Sequence, residues 1–203
     1  MKKRVITISR QHGSGGRAIG HLIEDKLGIK CYDQQLIEMI AKESGFAADF
    51  IEENGEKVTN SLLFNIATSL TFAYNTFSKE RMSLQDQLFV AQGRVIKELA
   101  EKEPCIIVGS CADHFLAERD DVLNVFIHAN MDFRKKIAID RYGYDEKDVQ
   151  TILSKKDRER ASHYRYYTEQ EWASAPNYHV CLDSSMYGLE TCADIIADLY
   201  KID

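Results

Sequence analysis

Gly13, Gly15 and Gly16, with Ser14 between them and Arg17 directly after, are the first residues in this sequence whose types and spacing could do chemistry. Glycine accepts positive φ and lets the backbone approach a ligand closely. Where such a cluster joins a strand to a helix, its successive N–H groups converge into an anion-binding nest at the helix N-terminus. The amides from Ser14 to Arg17 are therefore candidates for cradling phosphate. Arg17 and Arg10 are candidate cations, because a guanidinium can grip phosphate with two prongs. A surface ion pair is the alternative role for each.

The elements around the cluster fit that chemistry. Val5 to Ile8 is a β-branched run, which predicts a strand. Ile19, Leu22, Ile23 and Leu27 recur at helical spacing, with Gly28 as C-cap. Two motifs then compete for the loop. The phosphate loop G-x-x-x-x-G-K-[ST] fails literally: Arg10 stands at its first Gly, and no Lys follows Gly15. The dinucleotide fingerprint fits as Gly13-x-Gly15-x-x-Ala18, with Asp33 near the end of a second strand, Ile29 to Tyr32, where a ribose-binding acid belongs.

Further along, apolar runs predict strands at Cys105–Ser110, Val122–Ala129 and His179–Asp183. Helical periodicity predicts helices over Gln34–Ser44, Leu84–Lys102 and Leu189–Tyr200. Strands apolar throughout are buried on both faces, so the fold class is α/β, with a parallel sheet of about five strands flanked by helices. Asp33 and Asp113 follow strands, where α/β ligands bind, and either could instead cap the next helix. From Arg134 to Arg165 the chain is dense in charge. On a continuous helix Arg158 and Arg165 share a face and Arg160 lies well off it, so the three converge only through a bend. A solvated face is the plain alternative. Tyr164, Tyr166, Tyr167 and Trp172 form an aromatic group suited to packing.

Bulk composition bounds the rest. A chain of 203 residues suits one α/β domain. The net charge of -6 argues against a broad nucleic-acid surface. Five cysteines without a CxxC pair predict reduced thiols, and no zinc or disulfide framework. His128, His163 and His179 have no metal-ligand spacing. No signal peptide or membrane span is visible, so a cytoplasmic protein is expected.

Taken together, ITISRQHGSGGRAIG, CYDQQLIEMIAKESG, IIVGSCADHFL, VFIHA, the DRERA run and NYHVCLDSS resemble the cytidylate-kinase-like family, over almost the whole chain. The resemblance implies a three-layer P-loop kinase-like fold over residues 1–203, with a helical acceptor-side insertion at about 45–83 and an Arg-rich helical lid at about 134–170. It implies an ATP- and Mg²⁺-dependent phosphotransferase acting on a small acceptor, a nucleoside monophosphate such as CMP among the candidates. Arg17, Arg134, Arg158 and Arg160 are then the catalytic cations. Arg10, Gly13, Ser14, Gly15, Gly16 and Arg17 bind the nucleotide phosphates, and Tyr32, Asp33 and Asp113 bind the acceptor. Asp157-Arg158-Glu159-Arg160 looks like the lid of nucleoside monophosphate kinases.

Three departures accompany the resemblance. Gly16 takes the position of the P-loop Lys. Arg17 and Ala18 cover the place of the Mg²⁺-binding hydroxyl. Ser110 stands after Gly109 where relatives carry an Arg for the acceptor phosphate. A nucleotide-binding regulatory protein without turnover explains the altered loop equally well, and an NAD-dependent oxidoreductase explains the loop and Asp33 alone.

Overall fold

The computed structural model describes residues 4–55 and 83–202. The Phe-rich stretch from Phe64 to Phe77, and most of the insertion expected at 45–83, lie outside the described residues.

Strand β1 (Val5–Arg10) enters the molecule fully buried apart from Ser9. The expected strand stopped at Ile8; pairing with a second neighbour carries it on to Arg10, whose partner is Ile127. Helix α1 (Gly16–Leu27) follows the glycine loop and ends on Gly28, whose φ of 65° no β-branched residue would take readily. Then come β2 (Lys30–Tyr32), α2 (Gln34–Ser44) and α3 (Ala48–Asn54). After the undescribed stretch, α4 (Leu84–Lys102) starts on Ser83, whose hydroxyl accepts from the Asp86 amide.

Strand β3 (Cys105–Val108) leads into the short helix α5 (Ala112–Phe115). It ends at Val108, two residues before the expected end, because Gly109, Ser110 and Cys111 all take positive φ. Strand β4 (Val122–His128) and helix α6 (Met131–Tyr142) are next. Helix α7 (Val149–Thr168) lies within the range expected as a lid, 134–170. Strand β5 (Val180–Asp183) feeds α8 (Ser184–Lys201), which starts five residues earlier than its periodicity predicts and kinks at Gly188.

All five strands are parallel, in the order β2-β3-β1-β4-β5. One core packs α2 and α4 on one face of the sheet, through Leu36, Ile40, Leu88 and Ile96. The other packs α1 and α8 on the opposite face, through Ile19, Ile23, Cys192 and Ile196. The expected three layers are therefore present. The strand order also corrects the dinucleotide reading. That fold sets its second strand beside the first, so that the acid after it reaches the ribose. Here β3 separates β2 from β1, and Asp33 lies two strands away.

All five cysteines are free; four are buried and Cys181 is exposed. Burial pushes the Cys31 and Cys105 thiols up to about 12, so both stay protonated at neutral pH. Among the described residues, no helix is long and apolar enough to cross a membrane.

Candidate phosphate-binding site

The glycine loop lies at the carboxyl end of β1, the central strand, where parallel α/β sheets bind ligands. Its glycines are fixed by contact as well as by φ. A Cβ on Gly13 (φ 82°) would sit 2.8 Å from the Arg134 carbonyl oxygen, and one on Gly15 (φ 81°) would overlap Leu189. The first amides of α1, from Gly16 to Ala18, have no carbonyl one helical turn earlier to donate to. They are open to an anion. Ser14 is arranged differently: its amide and its hydroxyl both donate to the Gln11 carbonyl, and its own carbonyl accepts from the Ser184 hydroxyl at 2.6 Å.

Two residues expected in other roles hold the loop in shape. The Arg134 guanidinium, 4% exposed, donates from Nε to the His12 carbonyl at 2.8 Å and pairs with Asp157. Asp157 in turn accepts from the His12 amide at 2.8 Å. Arg134 thus binds the loop's backbone, and its charge is answered by a carboxylate.

A cleft of about 770 Å³, open to solvent, runs over the loop. Arg10, Arg17, Lys156 and Arg160 line it. Tyr142 and Tyr144 form its outer wall; Tyr142 stacks on His12 at 5.2 Å, and the Tyr144 hydroxyl lies 3.1 Å from His12 Nε2. Arg160 donates to the Arg10 carbonyl at 2.9 Å. Arg158 and Arg165 point to solvent. The face expected for that pair is the outer one, and α7 brings Arg160 to the loop without a bend. Sequence reasoning missed Lys156, although it lies one helical turn before Arg160 and so shares its face.

A second cleft adjoins the first, on the β2 side. Arg10, Arg17 and Glu52 line both. Asp33 stands at the N-cap position of α2 without making a cap bond, and pairs with Arg17 at 3.2 Å. Ile37, Ile40 and Ile51 form an apolar wall. Gln92, 2% exposed, lines the floor; its Nε2 donates to the Gly55 carbonyl, while among the described residues its Oε1 has no partner. A buried amide oxygen without a donor costs about 1–3 kcal/mol, so its persistence in a cleft needs explaining. Neither Glu52 nor Gln92 carries a sequence signal of its own.

The remaining expected acceptor residues lie elsewhere. Tyr32 is buried in the core, and its hydroxyl donates to Glu103 at 2.6 Å. Asp113 is buried and accepts from the Tyr164 hydroxyl at 2.7 Å. Burial drives the Asp113 carboxyl above its ordinary range, with the Tyr164 bond opposing. The aromatic group at the end of α7 and just beyond it does pack, apart from Tyr166, which is exposed. Tyr167 stacks on Phe89 at 4.0 Å, and the Trp172 indole donates to the Ser9 hydroxyl. His163 is buried beside Cys111 at 3.6 Å.

An Mg²⁺ ion accompanying a triphosphate would find Arg17 where a P-loop offers a hydroxyl. Asp33 and Asp157 are paired with arginines. Among the described residues, Glu52 is the carboxylate that lines both clefts, which suits an ion held chiefly by phosphate and water.

Comparison with known proteins agrees with the fold. The model of the cytidylate kinase-like family matches residues 5–186. A solved structure of an uncharacterized protein from Eubacterium ventriosum ATCC 27560 superposes with a TM-score of 0.74 at 22% identity, covering 99% of this chain and 100% of that one. Shikimate kinase from Bacteroides thetaiotaomicron gives 0.57 at 13% identity over 98% of both chains. Shikimate kinase from Acinetobacter baumannii, solved with shikimate, gives 0.55 at 13% identity over 97% and 92%. These likenesses show a P-loop kinase-like fold. No curated protein matches the sequence.

Proposed function

We propose that this chain, which belongs to the cytidylate kinase-like family, transfers the γ-phosphoryl group of ATP to a small acceptor. The observation carrying the proposal is one cleft lined by the start of α1 together with Arg10, Arg17, Lys156 and Arg160, opening onto a second cleft that shares Arg10, Arg17 and Glu52 with it. Phosphoryl transfer asks little covalent chemistry of a protein. It needs donor and acceptor held in line and charge held over the moving group.

The amides of α1 and the cations of α7 would hold the β- and γ-phosphates. Arg134 and Asp157 act as positioning residues, fixing the His12 peptide and with it the loop. Mg²⁺, where bound, would neutralise phosphate charge, with Glu52 as its protein ligand. The nucleotide base fits the groove continuing past the loop, lined by Arg141 and Tyr187. Tyr187 is 51% exposed there, an aromatic surface on which a base could stack.

The acceptor belongs in the second cleft. Asp33 and the unpaired Gln92 oxygen both call for donors, so the acceptor carries N–H or O–H groups. Arg17 calls for an anionic end. A nucleoside monophosphate bearing an amino group, CMP included, meets all three demands, as does a small polyhydroxylated acid. Incubation with ATP, Mg²⁺ and a panel of both classes is the test. Product with at least one acceptor is expected; no product with any would defeat the proposal.

A second reading has one observation in its favour. With Gly16 at the lysine position and Arg17 at the hydroxyl position, the chain could bind nucleotide without turnover. In that case ATP raises the melting temperature while no phosphate moves.

A further inference from the structure

We infer that Arg10 supplies the charge of the missing P-loop lysine, and that residue 16 is glycine because Arg10 occupies its space. The inference rests on the phosphotransferase reading and deepens it. In the G-x-x-x-x-G-K-[ST] pattern, glycine opens the loop and lysine stands six residues later. Here the two residue types are exchanged in kind: a cation at position 10, glycine at position 16.

The exchange is one steric event. A Cβ on Gly16 would lie 2.7 Å from the Arg10 Cβ and 3.0 Å from its Cγ. The Arg10 stem therefore crosses directly over the Gly16 Cα, and no side chain can start from residue 16 while it does. Beyond the stem, the guanidinium packs against Gly109. A Cβ there would lie 2.8 Å from the Arg10 Cζ and would overlap Nη1. Gly109, Ser110 and Cys111 all hold positive φ around that head group, an arrangement costly for the two residues that are not glycine.

The head group lies where transfer would occur. Arg10 lines the phosphate cleft and the acceptor cleft alike, and is 7% exposed. Arg17 also lines both, but its side chain is 38% exposed and paired with Asp33. A charge screened from water acts more strongly on phosphate than an exposed one. The Arg10 backbone is fixed as well, through the Arg160 bond to its carbonyl. Thus the cation arrives from the end of β1 instead of the start of α1.

The test uses the full-length protein, four variants, turnover and the ATP-induced melting shift. Arg10→Met keeps the stem and removes the charge; turnover should fall about 10²- to 10³-fold, as for loss of one transition-state donor. Arg10→Lys should retain at least a tenth of wild-type turnover. Gly16→Lys alone should lose activity, because its side chain meets the Arg10 stem. The pair Arg10→Gly with Gly16→Lys restores the glycine and lysine of the ordinary loop and should exceed either Arg10→Met or Gly16→Lys at least tenfold. Wild-type turnover in Arg10→Met, or a pair no better than both of those variants, would overturn the inference while leaving the phosphotransferase intact. A wild-type protein that neither moves phosphate nor is stabilised by ATP would remove the reading beneath it.

Discussion

Arg134 and Asp157 pair with each other and grip the same residue, His12, from its two sides: Arg134 takes the carbonyl and Asp157 the amide. One ion pair thereby sets the peptide planes on both sides of His12, just before the glycine loop. The charge of Arg134, which sequence reasoning assigns to the substrate, serves the shape of the site.

Breaking that pair should therefore unseat the loop. Arg134→Ala leaves the Asp157 carboxylate half-buried without its partner and should cost about 3 kcal/mol, the low end for a broken buried pair. Denaturant unfolding checks the loss, and the ATP-induced melting shift should fall with it. Arg158→Ala, on the exposed face of the same helix α7, should leave stability within about 0.5 kcal/mol and turnover unchanged.

Arg160 gives the contrasting case. Its guanidinium lines the phosphate cleft and holds the Arg10 carbonyl. Arg160→Ala should lower kcat by roughly 10²-fold or more, with a smaller change in KM for ATP, since the charge matters most in the transition state. Steady-state kinetics separates the two constants.

Gln92 predicts opposite signs for stability and function. Replacing it with Leu removes a buried oxygen that has no donor, so the melting temperature should hold or rise. The acceptor would lose its partner on the cleft floor, and its KM should rise about tenfold, the equivalent of roughly 1.4 kcal/mol. A large fall in melting temperature with KM unchanged would contradict this account.

Asp113 predicts a pH dependence. Burial raises its carboxyl in the folded chain, so the folded state holds the proton more tightly than the unfolded state does. The associated stability is fullest below the unfolded carboxylate value, near pH 4, and declines as pH rises through the folded value. Asp113→Asn still accepts from Tyr164 and removes the titration. Its melting temperature should change less with pH above about 4 than that of the wild type.

Much of the fold is legible in the residues themselves. Apolar runs such as Cys105–Val108 declare buried parallel strands, and the strand–glycine–helix succession declares a phosphate loop. The order of strands is not legible, because β1 pairs with β3 across about a hundred residues and no local signal specifies it. Topology, in turn, removes the dinucleotide reading that the loop alone favours. The site divides along the same line. Arg160 and Lys156 follow from helical periodicity once α7 is known to be straight. By contrast, the resemblance places Arg134 at the substrate, and position at strand ends places Tyr32 and Asp113 there, while their partners His12, Glu103 and Tyr164 come from distant segments. The unpaired oxygen of Gln92 exists only in the packed molecule.

The central claim is phosphoryl movement across the boundary between the two clefts. ATP labelled in its γ-phosphate, incubated with the purified chain, Mg²⁺ and a set of aminated nucleotides and hydroxylated acids, reads it directly. Label should appear on at least one acceptor, and Arg160→Ala should suppress it. Label that stays on ATP with every acceptor, in a protein that ATP nonetheless stabilises, would contradict the account and leave a nucleotide-binding protein without transfer.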